Sequence, residues 1–295
     1  MFGRTLMTLG LAMLLAAPAH AGFGLVLPDS PIVDDPEKTS LNLVICAIDP
    51  ATGAGIPIER PQVFTALRYS GDNMDRSEHL SVLDEVVAYG ARAWTTNISL
   101  PHPGVYQLVM QTKAGWVPEL DKFVQYVTKV QIPAYGSAEG WDKPANISFE
   151  ISPLSRPFGL CSGMAFSGQA LFDGKPIPGA LIDVARLDPA IKPNVAQPED
   201  PNAPPQDDKA QPKAKKQDKQ PTPQPISAFG ATQQVKADGQ GVFTFVCPLP
   251  GWWAFSTSMA GDPLQDPEGK QKPLEIKTIF WVYMNDCSKT APSKK

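Results

Sequence analysis

The stretch "GVFTFVCPLPGWWAFSTSM", Gly241 to Met259, decides the fold. Val242, Phe243, Thr244, Phe245 and Val246 form a short β-branched and aromatic run. Such runs favour a pleated, half-buried surface. Pro248, Pro250 and Gly251 then stop the run and turn the chain. A second run of the same character starts at once with Trp252 and Trp253. Neighbouring residues of a strand point to opposite faces. One tryptophan can therefore fill a core while the other covers a seam or meets a flat partner.

Outward from this stretch the same grammar recurs. Leu41–Asp49, Val63–Tyr69, Ala93–Leu100, Gly104–Thr112, Lys122–Ile132 and Asn146–Ile151 read as strands in the first half. Met164–Gly174, Gly179–Leu187, Ala231–Asp238, Gly241–Pro248, Gly251–Met259 and Leu274–Met284 read as strands in the second. Asp173-Gly174 and Asp238-Gly239 supply turn chemistry. The expectation is an all-β chain of two tandem Ig-like or transthyretin-like β-sandwich domains, 22–155 and 156–290, with a short tail at 291–295. Ser152–Gly159, with two prolines, reads as the hinge. Pro189–Ser227 holds ten prolines, six lysines, five acids and no aromatic residue. It buries too little apolar surface to offset its ordering entropy and is expected as a disordered Pro/Lys-rich insert in the second sandwich.

Residues 1–21 read as a signal peptide: Arg4, an apolar stretch from Leu6 to Ala17, then Ala-Pro-Ala and Ala-His-Ala. Cleavage after Ala21 is expected; cleavage after Ala19 would instead leave His20 at the amino terminus, a candidate metal ligand whose α-amine and imidazole could together chelate nickel or copper. The chain is thus expected to be exported to the periplasm with no membrane span after processing. Loss of Arg4 makes the net charge about −5, against nucleic acid as a partner.

Four cysteines, Cys46, Cys161, Cys247 and Cys287, show no Cys-x-x-Cys spacing. Three pairings are open, and Cys247–Cys287 is taken as the candidate disulfide because both lie in the C-terminal half. The alternative is four buried thiols. Histidines are three: His20, His79 and His102. His79 stands among Asp72, Asp75, Glu78 and Asp84 and is a candidate metal ligand. His-Glu-x-x-His, Gly-x-Ser-x-Gly and glycine-rich phosphate loops do not occur, so the expectation is a non-enzymatic protein.

"YVTKVQIPAYGSAEGWDKP" (Tyr126–Pro144) and "EISPLSRPFGLCSGMAFSGQALFDGKPIPGALIDV" (Glu150–Val184) resemble the DUF4198-type family of bacterial periplasmic proteins. The resemblance continues through Ala237–Met259, and the C-terminal half is similar to the carboxypeptidase-regulatory, transthyretin-like module. It implies a periplasmic component of nickel or cobalt uptake, with metal-permease components of the envelope as partners. Family members place a histidine where Gly22 stands and a histidine-proline pair where Asp49-Pro50 stands, which makes Asp49 a further metal candidate. An alternative expectation is a structural or protein-interaction module of the envelope without metal. The candidates for partner or seam packing are Trp141, Arg156, Phe158, Trp252 and Trp253.

Overall fold

A computed structural model describes residues 22–50, 52–198 and 233–290. Among them the regular structure is almost entirely strand, with only short 3-10 turns besides. In the first half the strands are β1 (Phe23–Pro28), β2 (Ser40–Asp49), β3 (Ala54–Ile56), β4 (Val63–Ser70), β5 (Asn73–Glu78), β6 (Asp84–Ala88), β7 (Ala91–Ser99), β8 (Gly104–Gln111), β9 (Gly115–Val117) and β10 (Lys122–Ala134). The second half adds β11 (Phe149–Pro153), β12 (Leu160–Cys161), β13 (Ala165–Phe172), β14 (Lys175–Pro176), β15 (Leu181–Leu187), β16 (Gln233–Lys236), β17 (Val242–Val246), β18 (Gly251–Gln265) and β19 (Gln271–Asn285).

The expected all-β sandwich is present, in a form where the two halves share one sheet. The central sheet runs β16-β15-β18-β19-β10-β8-β4-β5. Its joint is a parallel pairing of β10 with β19, Phe123 opposite Leu274 through to Val130 opposite Trp281. A second sheet, β1-β2-β7-β6 with β3 on β2, covers one face of the central sheet. A third, β11-β13-β14 with β17 on β13, covers the other. The alternation along β18 makes this visible. Trp252 and Ala254 belong to the core under the second sheet, Trp253 and Phe255 to the core under the third.

The two cores differ in character. The first is mainly aliphatic, with Leu25, Leu41, Leu43, Ile45 and Ile48, and takes in the scattered rings of Phe23, Phe64, Trp94, Tyr126 and Trp281. The second is aromatic: Phe166 stacks 5.6 Å from Phe280, and Phe255 lies 4.7 Å from Phe166 and 5.5 Å from Phe243. The two most deeply buried tryptophans have their N–H groups satisfied, whereas the buried Trp94 Nε1 has no partner among the described residues. Trp281 Nε1 donates to the Gly24 carbonyl at 2.8 Å, and Trp253 Nε1 to the Leu249 carbonyl at 2.9 Å. At Gly24 a Cβ would lie 2.8 Å from Tyr126 Cβ and 2.7 Å from Thr128 Oγ1, so β1 can lie close on β10 only with glycine there.

A buried ion pair joins the central sheet to the third one. Lys129 Nζ of β10 lies 2.7 Å from Glu150 Oε2 of β11, with side chains 3% and 6% exposed. The Lys129 ammonium also sits 5.2 Å from the Phe280 ring centre. Burial pulls the Lys129 pKa down, and Glu150 works against that.

Sequence and structure differ at several places. β11 already pairs with β13, so the strand just before the expected hinge joins the third sheet rather than the first half. The start of the expected insert is placed: Ala196 forms an antiparallel bridge with Val87, and Ile191 packs over Gly53 and the first core. An isoleucine and one bridge give Pro189–Pro198 a seat that composition did not reveal. The rest of the insert, 199–227, lies outside the described residues, as do the signal peptide and the tail at 291–295.

Candidate functional site

The site lies where the halves meet, around Trp252. Gly251 opens β18 with φ +117, and a Cβ there would lie 2.8 Å from Pro189 Cγ and 3.2 Å from the Leu187 carbonyl. Arg186 Nε donates to the Pro250 carbonyl at 2.9 Å. This anchored start sends Trp253 into the aromatic core and Trp252 to the opposite face. There Trp252 stands opposite Tyr283 of β19, ring centres 5.1 Å apart and tilted by 59°.

Two cavities flank this ring pair. One, of about 240 Å³, is walled by Trp252, Tyr283, Phe158, Arg156, Gln131 and Pro133. The other, of about 260 Å³, shares Pro31, Trp252 and Tyr283 and adds Tyr89, Ile191 and Lys192. Arg156 lies over the Phe158 ring at 5.5 Å. It is the one charged residue in the wall of the first cavity. Gln131 donates through Nε2 to the Trp141 carbonyl at 2.8 Å, while its buried Oε1 has no partner. Trp141 itself enters through this backbone contact and does not line either cavity.

The rim is clamped covalently. Cys161 is bonded to Cys287, Cα to Cα 5.6 Å, which corrects the expected Cys247–Cys287 pair. The physical reason is the short parallel pairing of β12 with β19. Leu160 stands opposite Met284 and Cys161 opposite Asn285, while Asn285 Nδ2 donates to the Leu160 carbonyl at 2.9 Å. That ladder brings Cys161 to the end of β19. Cys247 is instead a buried thiol in the aromatic core, and Cys46 a buried thiol in the aliphatic one. Burial pushes both up to about 12, so neither is a thiolate near neutral pH.

The metal candidates are not brought together. His79 lies beside β5 with its Nε2 2.9 Å from Ser77 Oγ and its ring 6.0 Å from Phe64. Burial lowers its pKa below 6.5, with Glu78 opposing. Asp49 ends β2 and accepts from Thr52 Oγ1 at 3.0 Å. Among the described residues no three His, Cys, Asp or Glu side chains come together to hold an ion. The described residues therefore do not fit a resident nickel or cobalt ion. His20 and Ala21 lie outside the described residues.

The profile of a family described as "Domain of unknown function (DUF4198)" matches residues 17–261. The chain belongs to this family. The match spans both halves of the DUF4198 chain, including Arg156, Phe158 and Trp252, and stops short of β19 with its Tyr283. No curated protein matches it. Among solved structures the D0-D1 domain of Intimin is similar at 10% identity, covering 90% of this chain and 100% of that one. Its TM-score of 0.19 carries no argument about fold or function. Among the described residues no helix is long and apolar enough to cross a membrane.

Two residues of the candidate site carry no signal of their own in the sequence. Tyr283 becomes the neighbour of Trp252 only through strand register. Gln131 belongs to an alternating strand and looks like any half-buried polar residue. A signal for Tyr283 exists in the turn at Asp266–Lys270, which announces a hairpin joining β18 to β19.

Proposed function

We propose that this DUF4198 chain is an exported accessory protein of the bacterial envelope that works by binding a partner rather than by catalysis. Its finer role, suggested by the family resemblance, is in transition-metal uptake beside a permease, with nickel or cobalt as cargo. The observation that carries the reading is the ring pair Trp252–Tyr283. It exposes a partly open aromatic notch on rigid strands, with Arg156 and Phe158 at its rim. Sites built on strands hold their geometry, and aromatic residues with an arginine are the usual anchors of binding surfaces.

A second reading, an interaction module with no part in metal traffic, is favoured by the separate engagements of His79 and Asp49. One experiment separates the two. Deletion of the gene, followed by measurement of cell-associated nickel and cobalt, is expected to lower uptake, with restoration by the wild-type chain and not by an Arg156→Glu chain. Unchanged uptake selects the second reading. Export is tested by fractionation and intact mass: a periplasmic protein beginning at Gly22 is expected, and a cytoplasmic full-length chain would contradict the envelope role.

A further inference from the structure

We propose that the cavity beside Trp252 and Tyr283 binds an acidic, proline-containing peptide segment of a partner protein. The inference rests on the binding role above and names the chemistry of the ligand.

Shape comes first. Trp252 and Tyr283 meet at 59°, and Phe158 under Arg156 supplies a third ring at the rim. Grooves walled by aromatic residues receive the pyrrolidine rings of a polyproline II segment, which arrives already ordered and loses little entropy on docking. The cavity of about 240 Å³ is smaller than the roughly 300 Å³ at which sites begin to take a drug-sized molecule. It suits the tip of a chain. The second cavity, on the other flank of the same rings, is lined by Asp29 and Asp188 as well as Lys192, so the acidic residue of the peptide belongs on the Arg156 side and only its proline end runs on here.

The hydrogen-bonding inventory comes second. The Trp252 indole N–H, the Tyr283 hydroxyl and the Arg156 guanidinium have no hydrogen-bond or ion-pair partner among the described residues. These groups supply donors. A prolyl backbone offers carbonyl acceptors and no N–H, so the two sets match.

Charge comes third. Arg156 is unopposed in the wall, which contains no carboxylate. An acidic residue beside the prolines would meet it. A neutral saccharide is the poorer fit, because sugars are commonly held by carboxylates in the plane of the ring and this wall has none.

The test titrates the purified protein into a fluorescein-labelled peptide, acetyl-Pro-Pro-Glu-Asp-Pro-Pro-amide, and reads anisotropy. Saturable binding in the micromolar range is expected. Arg156→Glu, at an exposed position, is expected to leave the circular dichroism spectrum unchanged and to weaken binding by about tenfold. Tyr283→Phe is expected to weaken it by about threefold. A peptide with alanine for proline is expected not to bind. Absence of saturation at millimolar protein, equal binding by the Arg156→Glu chain, or equal binding of the alanine peptide would each overturn the proposal. So would displacement of the probe by a neutral oligosaccharide alone, which assigns the cavity to sugars. The envelope role is judged separately by export and uptake, so loss of peptide binding with an intact uptake phenotype removes only the ligand class.

Discussion

The two faces of the central sheet are packed differently. Under the second sheet aliphatic side chains predominate, with leucine, isoleucine and valine on β1 and β2 against β10 and β19, and rings such as Phe23, Trp94 and Trp281 are set singly among them. Under the third it is a cluster of phenylalanines and one tryptophan, edged by a buried lysine–glutamate pair. Aliphatic layers fill space by shape and lose little when one methyl is removed. Aromatic clusters place much area in few side chains, so each matters more. The same strands, β18 and β19, serve both layers by alternation. What one half of the chain does structurally is therefore felt in the other.

The largest loss of stability is expected at the buried pair. Glu150→Ala leaves the Lys129 ammonium in an apolar setting and should cost about 3–5 kcal/mol of unfolding free energy in urea. The double substitution Lys129→Met, Glu150→Leu should recover most of that loss. A Glu150→Ala cost under about 1 kcal/mol would mean the pair is wet. Next comes the contrast of the two cores. Phe166→Ala should cost about 3–5 kcal/mol, whereas Ile45→Val in the aliphatic layer should cost about 1 kcal/mol. A Phe166→Ala cost under about 2 kcal/mol would show that the ring cluster is not tightly packed.

Removing the Cys161–Cys287 bond, which spans 126 residues, should cost about 2–4 kcal/mol in denaturant melts compared with and without reductant. The smallest effect is in acid. Burial tends to raise the Glu275 pKa, but hydrogen bonds from Lys122 and Ser258 outweigh it and hold the folded value below 4.5. Its contribution is complete above pH about 4.5 and fades as pH falls through the lower folded value. Glu275→Gln should flatten that acid limb of stability, and an unchanged limb would show that other carboxylates carry it.

The strands of the sandwich were largely legible, because their period-two pattern and turn residues are local signals. "VFTALRY" and "GVYQLVMQT" fall within one residue of β4 and β8. The strands missed are instructive. β5, Asn73–Glu78, is exposed throughout and carries no apolar alternation. β1, Phe23–Pro28, is buried on both faces and follows directly on the signal-like segment, so it reads as a trailing apolar run. At the site, the opposite facing of Trp252 and Trp253 follows from adjacency alone. The pairing of Trp252 with Tyr283 does not. Near the hairpin turn Gln265 stands opposite Gln271 and Leu264 opposite Lys272. Continued without interruption, that register would bring Met284 to Trp252. A shift between Gly261 and Leu264 moves the pairing by one and delivers Tyr283. The disulfide escaped for a similar reason, since it depends on β12 finding β19 across more than a hundred residues.

The parallel pairing of β10 with β19 makes the two halves one body. Native-state hydrogen exchange read by mass spectrometry tests it directly, on peptides covering Lys122–Ala134 and Gln271–Asn285. The two segments are expected to share the slowest exchange and to lose protection together as urea rises. Exchange of one segment at low urea while the other stays protected would contradict the shared sheet.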